Sequence, residues 1–304
     1  MIYDCAIVGG GPAGLNAALV LGRSRRNVVL FDENDGRNLV TREAHGFLTR
    51  DGIRPEELKA LASDELEKYE SVRQVRQRVK AIKRIADTDY ELTTDDGQTF
   101  HAIKLLLATG LKEELPDVPN IHEFYGKSLY SCPYCDGWEV RDRPLALIAD
   151  KSVFKVAKKL YNWSQDLVIC TNGEGGISKE ERARLDEKEI RIIETPIQSL
   201  EGTDGQLEQI RFTDGSSIER HYGFITPYMK PAVNFGEELG CETNAHGGIV
   251  TDKYRRTSVW NIYAAGDASH IVPSQLIIAA GEGSAAGLGI DGDLTNEYFD
   301  SQKP

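Results

Sequence analysis

The chain has 304 residues, of which 40% are hydrophobic and 28% charged, with a formal net charge of −12 at pH 7. That length is about twice the usual domain, so two domains or one large α/β unit is expected. The acidic balance argues against a nucleic-acid partner, and no apolar run approaches the ~18 residues of a membrane span. The N-terminal "MIYDCAIVGGG" enters an apolar strand pattern without a basic n-region or small-residue cleavage site, which predicts a cytoplasmic protein. Five cysteines, an odd number, do not resemble a secreted disulfide framework. In a reducing compartment a cysteine pair is expected to be catalytic or metal-binding.

Residues 4–34 read as strand, glycine turn, helix and strand. Gly9, Gly11 and Gly14 fit G-x-G-x-x-G, and Asp32 closes the second apolar run, "VVLF". The first glycine serves a tight turn, the second lets backbone approach a pyrophosphate, and the third packs helix on strand. The acid then takes a ribose hydroxyl. The bland alternative is a tight βα turn without a ligand. From Arg54, "RPEELKALASDELEKY" places Leu58, Leu61, Ala62, Leu66 and Tyr69 on one helical face, a core-packing helix. Residues 90–110 read as a hairpin and then a buried strand ending in "LLLATG". The charged, proline-bearing "LKEELPDVPN" after it suggests a crossing between domains.

"YSCPYCDGWEV", residues 130–140, holds Cys132 and Cys135 with Asp136 directly after the second. A C-x-x-C pair alone suits a glutaredoxin-type centre, half of a zinc site, or a disulfide worked by another cofactor. A second α/β segment follows: strand "PLALIA", helix "SVFKVAKKLYNW", strand "DLVICT". After it a helix is announced by Ser178 and Glu181 in capping-box spacing. "IRIIE", "IQSLEG", "LEQIRFTDG" and "SIERHYGFITP" predict short strands of one small sheet. The last third gives a strand "NIYAAGD" and a long helix rich in Ala and Gly, which suits close approach to a flat ligand or to another backbone. Cys5 and Cys170 fall in apolar strand-like runs and are expected to be buried and inert, whereas Cys241 is left open.

Taken in order, the dinucleotide fingerprint, "LLLATG", the central C-x-x-C-D and a C-terminal "YAAGD" before a Gln-containing helix resemble the low-molecular-weight thioredoxin-reductase family of flavoproteins. The resemblance spans nearly the whole chain. It implies an α/β fold of two Rossmann-like, three-layer nucleotide-binding domains. Residues 1–113 and 231–304 would form an FAD domain, and residues 114–230 an inserted NAD(P)H-like domain carrying the cysteines. By the same resemblance Gly9, Gly11, Gly14 and Asp32 hold the ADP half of FAD, and Asp267 meets the ribityl and phosphate region. Gln275 starts the helix that faces the pyrimidine edge of the flavin, where a helix dipole favours negative charge. Cys135 is the flavin-side sulfur, Cys132 exchanges with substrate, and Asp136 protonates the departing thiolate. Zinc recedes because no second ligand pair exists, and a glutaredoxin centre because the pair lies between two α/β segments.

The implied activity is FAD-dependent thiol–disulfide exchange with a thioredoxin-like protein or a small dithiol or disulfide, in a homodimer. The sequence departs from the family where a second glycine-rich turn should bind NADPH: no glycine lies between Arg143 and Lys159, and Lys151 and Phe154 crowd the place. "VICTNGEGG" lacks the basic clamp, so NADPH is doubtful as donor. "REAHGFLTRDG", "CPYCDGWE" and "GFITPYMKP" are more similar to a branch that includes gliotoxin-type dithiol oxidases, which pass electrons to oxygen. A flavin-bound redox sensor without turnover is the remaining alternative. Trp138 is expected to pack beside the cysteines, and Tyr130 to be a packing residue. His45 is a candidate helper or a hydrogen-bonded loop histidine.

Overall fold

The computed structural model describes residues 2–173, 175–269 and 273–301. The chain divides into two compact units. The first comprises Met1–Leu39, Gly46–Lys112 and Met229–Pro304, and the second Val40–His45 and Glu113–Tyr228. Six residues of the N-terminal half, Val40–His45, therefore belong with the second unit.

In the first unit, strands Val72–Val75, Val28–Phe31, Ile2–Val8 and Thr99–Leu107 lie side by side and parallel. Thr99–Leu107 has two kinds of partner on its far edge. Its first half pairs antiparallel with Asp89–Thr94, and its second half takes Ile262–Ala264 in parallel from the C-terminal region. Because both faces are covered, the central strands read as continuous apolar runs rather than alternating ones. Cys5, Ile7, Leu30 and Leu106 point toward helices Pro12–Arg23 and Leu276–Ser301, while Ala6, Val29, Phe31 and Leu107 point toward Tyr90, Leu92 and Phe100. Each Leu, Ile or Phe so buried contributes roughly 1.5–3 kcal/mol.

The Ala/Gly-rich C-terminal helix uses its small residues against another backbone. A Cβ at Gly283 would stand 2.0 Å from the Ala13 carbonyl oxygen, and one at Gly287 would stand 2.8 Å from the Val20 Cβ. Lys104 is buried on the central strand and spends its ammonium on Asn261 Oδ1 (2.6 Å) and Glu297 Oε1 (2.7 Å). This pairing locks the C-terminal helix to the sheet, since a buried lysine left unpaired is costly. Helix Pro55–Glu67 forms where its periodicity predicts, with Leu66 buried and Ala62 and Tyr69 packed against the core. Leu61 corrects that reading: it is 41% exposed. Periodicity sets a helical face but not how wide a stripe the neighbours cover.

The second unit is built on a five-stranded parallel sheet in the order Arg191–Ile193, Leu167–Cys170, Leu145–Ile148, Tyr222–Ile225, Leu129–Tyr130. The expected single small sheet is thus divided. Only Ile197–Thr203, Gln206–Phe212 and Ser217–Glu219 form it, as an antiparallel meander. The apolar runs on either side join the parallel sheet, because a strand buried on both faces has no alternation to distinguish it. Asp204 and Gly205, both with positive φ, make the tight turn between the first two strands of the meander. Helix Lys179–Asp186 starts in the predicted capping box: Ser178 Oγ accepts from Glu181 N, and Glu181 Oε2 accepts from Ser178 N.

Candidate active site

The glycine turn follows the end of the first strand. Gly9 has φ +114, and a Cβ there would stand 2.2 Å from the Ala108 carbonyl oxygen, so the neighbouring strand has no room for one. A Cβ at Gly14 would lie 1.9 Å from Gly9 O, which fixes the helix directly on the turn. Gly11 differs from both. Its backbone is extended (φ −76, ψ −177), and a Cβ there meets no described protein atom within 4 Å. Two glycines are therefore demanded by the fold, and the third is not. Gly11 is also the N-cap of helix Pro12–Arg23, with no side-chain cap and no acid in the first turn. A helix start left this way offers backbone N–H groups and a positive dipole end to an anion. These observations fit the diphosphate of a dinucleotide.

Asp32 stands just past the second strand, where its Oδ1 accepts from Asn34 N (3.0 Å) and its Oδ2 holds Lys59 Nζ at 2.6 Å. Lys59 comes from the helix to which the sequence reading gave only packing. Asp267 lies in a short 3-10 turn, Gly266–Ala268, and its Oδ2 accepts from Arg37 Nη2 (3.0 Å) and Ser274 Oγ (2.7 Å). Gln275 precedes helix Leu276–Ser301, and its carbonyl accepts from Ala279 N (3.0 Å). The first unit thus brings Gly9, Gly11, Gly14, Asp32, Asp267 and Gln275 into one folded body from both ends of the chain. Beside Asp267, Glu282 is buried and accepts from Gly266 N (2.8 Å) and Ser269 Oγ (3.2 Å), with Arg255 Nη2 at 3.1 Å. Arg37, Lys59 and Glu282 were missed from sequence because each acts through a partner distant along the chain.

In the second unit Cys132 and Cys135 form a disulfide. Cys132 caps a single helical turn, Pro133–Asp136, and its carbonyl accepts from Cys135 N (3.0 Å) and Asp136 N (3.1 Å). This turn brings the two Cα atoms to 5.2 Å, within the span of an S–S bond. Both cysteines and Asp136 are half-buried. Burial pushes the Asp136 carboxyl up to about 7; His45 pulls it back down and Glu139 adds to the rise. A carboxylic acid poised near neutrality is suited to donate a proton to a departing thiolate and to regain it.

Asp136 lines a cleft of about 250 Å³ together with Arg42, Glu43, His45, Glu139, Tyr130 and Tyr222. His45 Nε2 stands 3.6 Å from Glu43 Oε2 and 3.7 Å from Glu139 Oε1. The segment carrying His45 is seated by Gly126 (φ +77), where a Cβ would meet the Val40 carbonyl oxygen at 2.3 Å. Tyr130 tilts against Phe224 at 5.9 Å, donates to Lys127 O (2.7 Å) and also faces the cleft; burial and Asp136 push its phenol up to about 12. Trp138 corrects the sequence reading. It is 66% exposed and is covered by the Arg141 guanidinium 3.9 Å from its ring centroid, rather than packed beside the sulfurs. The aromatic partner of the C-x-x-C turn is Trp163, which meets Tyr134 edge-on at 5.5 Å.

After strand Leu145–Ile148, the turn expected to differ from a nucleotide fingerprint runs through Ala149, Asp150, Lys151 and Ser152, the last at φ 52 without a side-chain cap. Lys151 Nζ lies 5.8 Å from the Tyr228 ring centroid, and the Phe154 ring sits between Lys158 Nζ (5.0 Å) and the Arg184 guanidinium (4.9 Å). Arg184, delivered by helix Lys179–Asp186, thus places a basic side chain beside Phe154. Cys5, Cys170 and Cys241 are buried free thiols. Burial raises all three, Cys170 to about 12, which settles Cys241 with the inert pair. No cluster of three or more metal-ligating side chains occurs among the described residues, and no described helix is long and apolar enough to cross a membrane.

Two parallel-sheet units, one opening on a glycine turn and the other carrying a C-x-x-C disulfide next to a poised acid, define a disulfide oxidoreductase of the dinucleotide-binding class. The chain belongs to the pyridine nucleotide-disulphide oxidoreductase family, whose profile matches residues 3–283. Among its relatives, thioredoxin reductase aclD of Aspergillus oryzae is 30% identical over 307 residues, covering 96% of each chain. A crystal structure of TrxB from Bacillus anthracis, assigned as a thioredoxin reductase, has a TM-score of 0.94 at 46% identity, covering 97% of this chain and 99% of that one. The structure of HlmI has the same TM-score at 33% identity, covering 99% and 95%. The protein is accordingly an oxidoreductase of the thioredoxin-reductase-like class, and its Cys132–Cys135 pair is joined as a disulfide. Membership implies FAD, which the geometry of the glycine turn suits.

Proposed function

We propose that this protein exchanges two electrons with a dithiol or disulfide substrate through Cys132 and Cys135, with FAD as its bound cofactor. The observation that carries the reading is the disulfide closed within one helical turn that ends on Asp136, an acid poised near neutral pH. In the oxidising direction a substrate thiolate attacks Cys132 Sγ, the Cys132–Cys135 bond breaks, and Cys135 departs as a thiolate. The second substrate thiol then attacks the substrate sulfur of the mixed disulfide. Cys132 leaves and takes its proton from Asp136, the proton of the second substrate thiol passes to the Asp136 carboxylate, and one dithiol has become a disulfide while the protein holds a Cys132 thiol and a Cys135 thiolate. The reducing direction is the same sequence reversed. FAD, when bound, supplies the two-electron exchange that resets the cysteine pair.

Gly9, Gly11 and Gly14 would hold the diphosphate, Asp32 the ribose, and Asp267 and Gln275 the flavin half. We further propose that NADPH is a poor donor, because the turn at residues 149–152 has no glycine for close phosphate approach. A cytoplasmic homodimer acting on a thioredoxin-like protein or a small dithiol completes the reading. The test is acid release and chromatography of the cofactor, paired with anaerobic mixing of the purified protein with dithiothreitol. FAD near one per chain and prompt bleaching that is lost in Cys132→Ser support the reading. FMN, or bleaching unaffected by that substitution, overturns it.

A further inference from the structure

The fold lifts Val40–His45 out of the first unit and builds it into the second, at the cleft that holds Asp136. The last residue of this segment is a histidine whose side chain is only 15% exposed. Two carboxylates flank that ring, Glu43 Oε2 and Glu139 Oε1 standing 3.6 and 3.7 Å from its Nε2. From these placements we propose that His45 is a positioning residue for thiol exchange, acting through the acid Asp136 with which it shares the cleft. The inference rests on the function proposed above and adds a residue to it.

Several charged or titratable groups line the cleft with Asp136. Arg42, Glu43 and His45 come from the inserted segment, Lys127 and Tyr130 from the turn and strand before the disulfide, Glu139 from the turn after it, and Tyr222 from the neighbouring strand. His45 and Glu139 act on the Asp136 carboxyl in opposite senses, His45 favouring the carboxylate and Glu139 the acid. The pair is therefore a balance. Without a cation at this place, half-burial and Glu139 would keep Asp136 protonated to higher pH. The acid would still donate, but it would yield its proton less readily in the forward step and accept one too readily in the reverse.

The experiment follows reduction of the Cys132–Cys135 disulfide by dithiothreitol in the anaerobic holoenzyme. Samples are quenched by alkylation and counted by mass, and the rate is divided by the thiolate concentration at each pH. In the wild type this normalised rate falls as pH rises through the Asp136 ionisation, and Asp136→Asn shows no such fall. His45→Gln, and His45→Asn as a second neutral variant, should move the midpoint up by ~0.5–1 pH unit, whereas His45→Lys should leave it at or below the wild-type value. A residue that merely fills space would change the amplitude in all three and the midpoint in none. Equal midpoints in the wild type and both neutral variants overturn the inference and leave the proposed function standing. A wild-type profile in Asp136→Asn overturns both.

Discussion

Gly11→Ala isolates the cofactor argument from the folding argument. The Gly11 backbone is already extended (φ −76, ψ −177), and the new Cβ meets no described protein atom within 4 Å. The new methyl clashes with no described atom and removes freedom from the unfolded chain, but alanine is a poorer N-cap than glycine; the two effects oppose, so the apoprotein should stay within ~1 kcal/mol of the wild type. The same methyl stands where a diphosphate would approach the N-terminus of helix Pro12–Arg23. Losing one or two charge-assisted hydrogen bonds there, at ~1.5–3 kcal/mol each, weakens binding by at least ten- to a hundredfold.

The assay is a titration of apoprotein with FAD by fluorescence quenching, with melting curves taken with and without the cofactor. At a concentration 100-fold above the wild-type Kd, FAD should stabilise the wild type by ~2.7 kcal/mol and the variant by much less. Gly14→Ala is the control. Its Cβ would lie 1.9 Å from Gly9 O, so it should lose ~2 kcal/mol or more even without cofactor. Wild-type FAD affinity in Gly11→Ala would refute the assignment of this turn to a diphosphate.

Other outcomes follow from the second unit. Cys132→Ser and Cys135→Ser should each abolish dithiol turnover while leaving FAD content unchanged, because neither sulfur completes exchange alone; residual turnover above a few per cent in a dithiol assay would contradict this. The Asp136 carboxyl, held near 7 against an ordinary value near 4, is stabilising when protonated, and that contribution is lost as pH rises through the folded-state value. Asp136→Asn should thus melt above the wild type at pH 8.5, by up to ~2–4 kcal/mol in stability, and not at pH 4. Under argon, NADPH should bleach the visible absorbance slowly and dithiothreitol promptly; rapid bleaching that saturates at micromolar NADPH would restore the nicotinamide site. Lys104→Ala strands Glu297 and Asn261 and should cost ~3 kcal/mol in denaturant unfolding, whereas Lys104→Met, which fills the same space, should cost less.

The elements of chemistry were legible along the sequence where their chemistry is local. The glycine turn, the Cys132–Cys135 helical turn with Asp136 and the Ser178 capping box each depend on spacings of a few residues, which backbone geometry alone constrains. Continuous apolar runs announce the buried parallel strands but not their sheet: nothing in "IRIIE" or "YGFI" separates them from the meander, since a fully apolar strand does not say which neighbour it will meet. Trp138 is a related case: Cys135 and Arg141 lie three residues to either side of it, and only the folded turn decides that the indole stacks on Arg141. Only tertiary structure could put Lys59 on Asp32, Arg37 on Asp267 and Glu297 on Lys104, since such charge pairs follow from which surfaces desolvate together. His45 belongs to the same group. Along the sequence this loop histidine is a candidate helper or a hydrogen-bonded structural residue, and what it stands beside is decided only when packing carries its segment into the unit that holds Asp136.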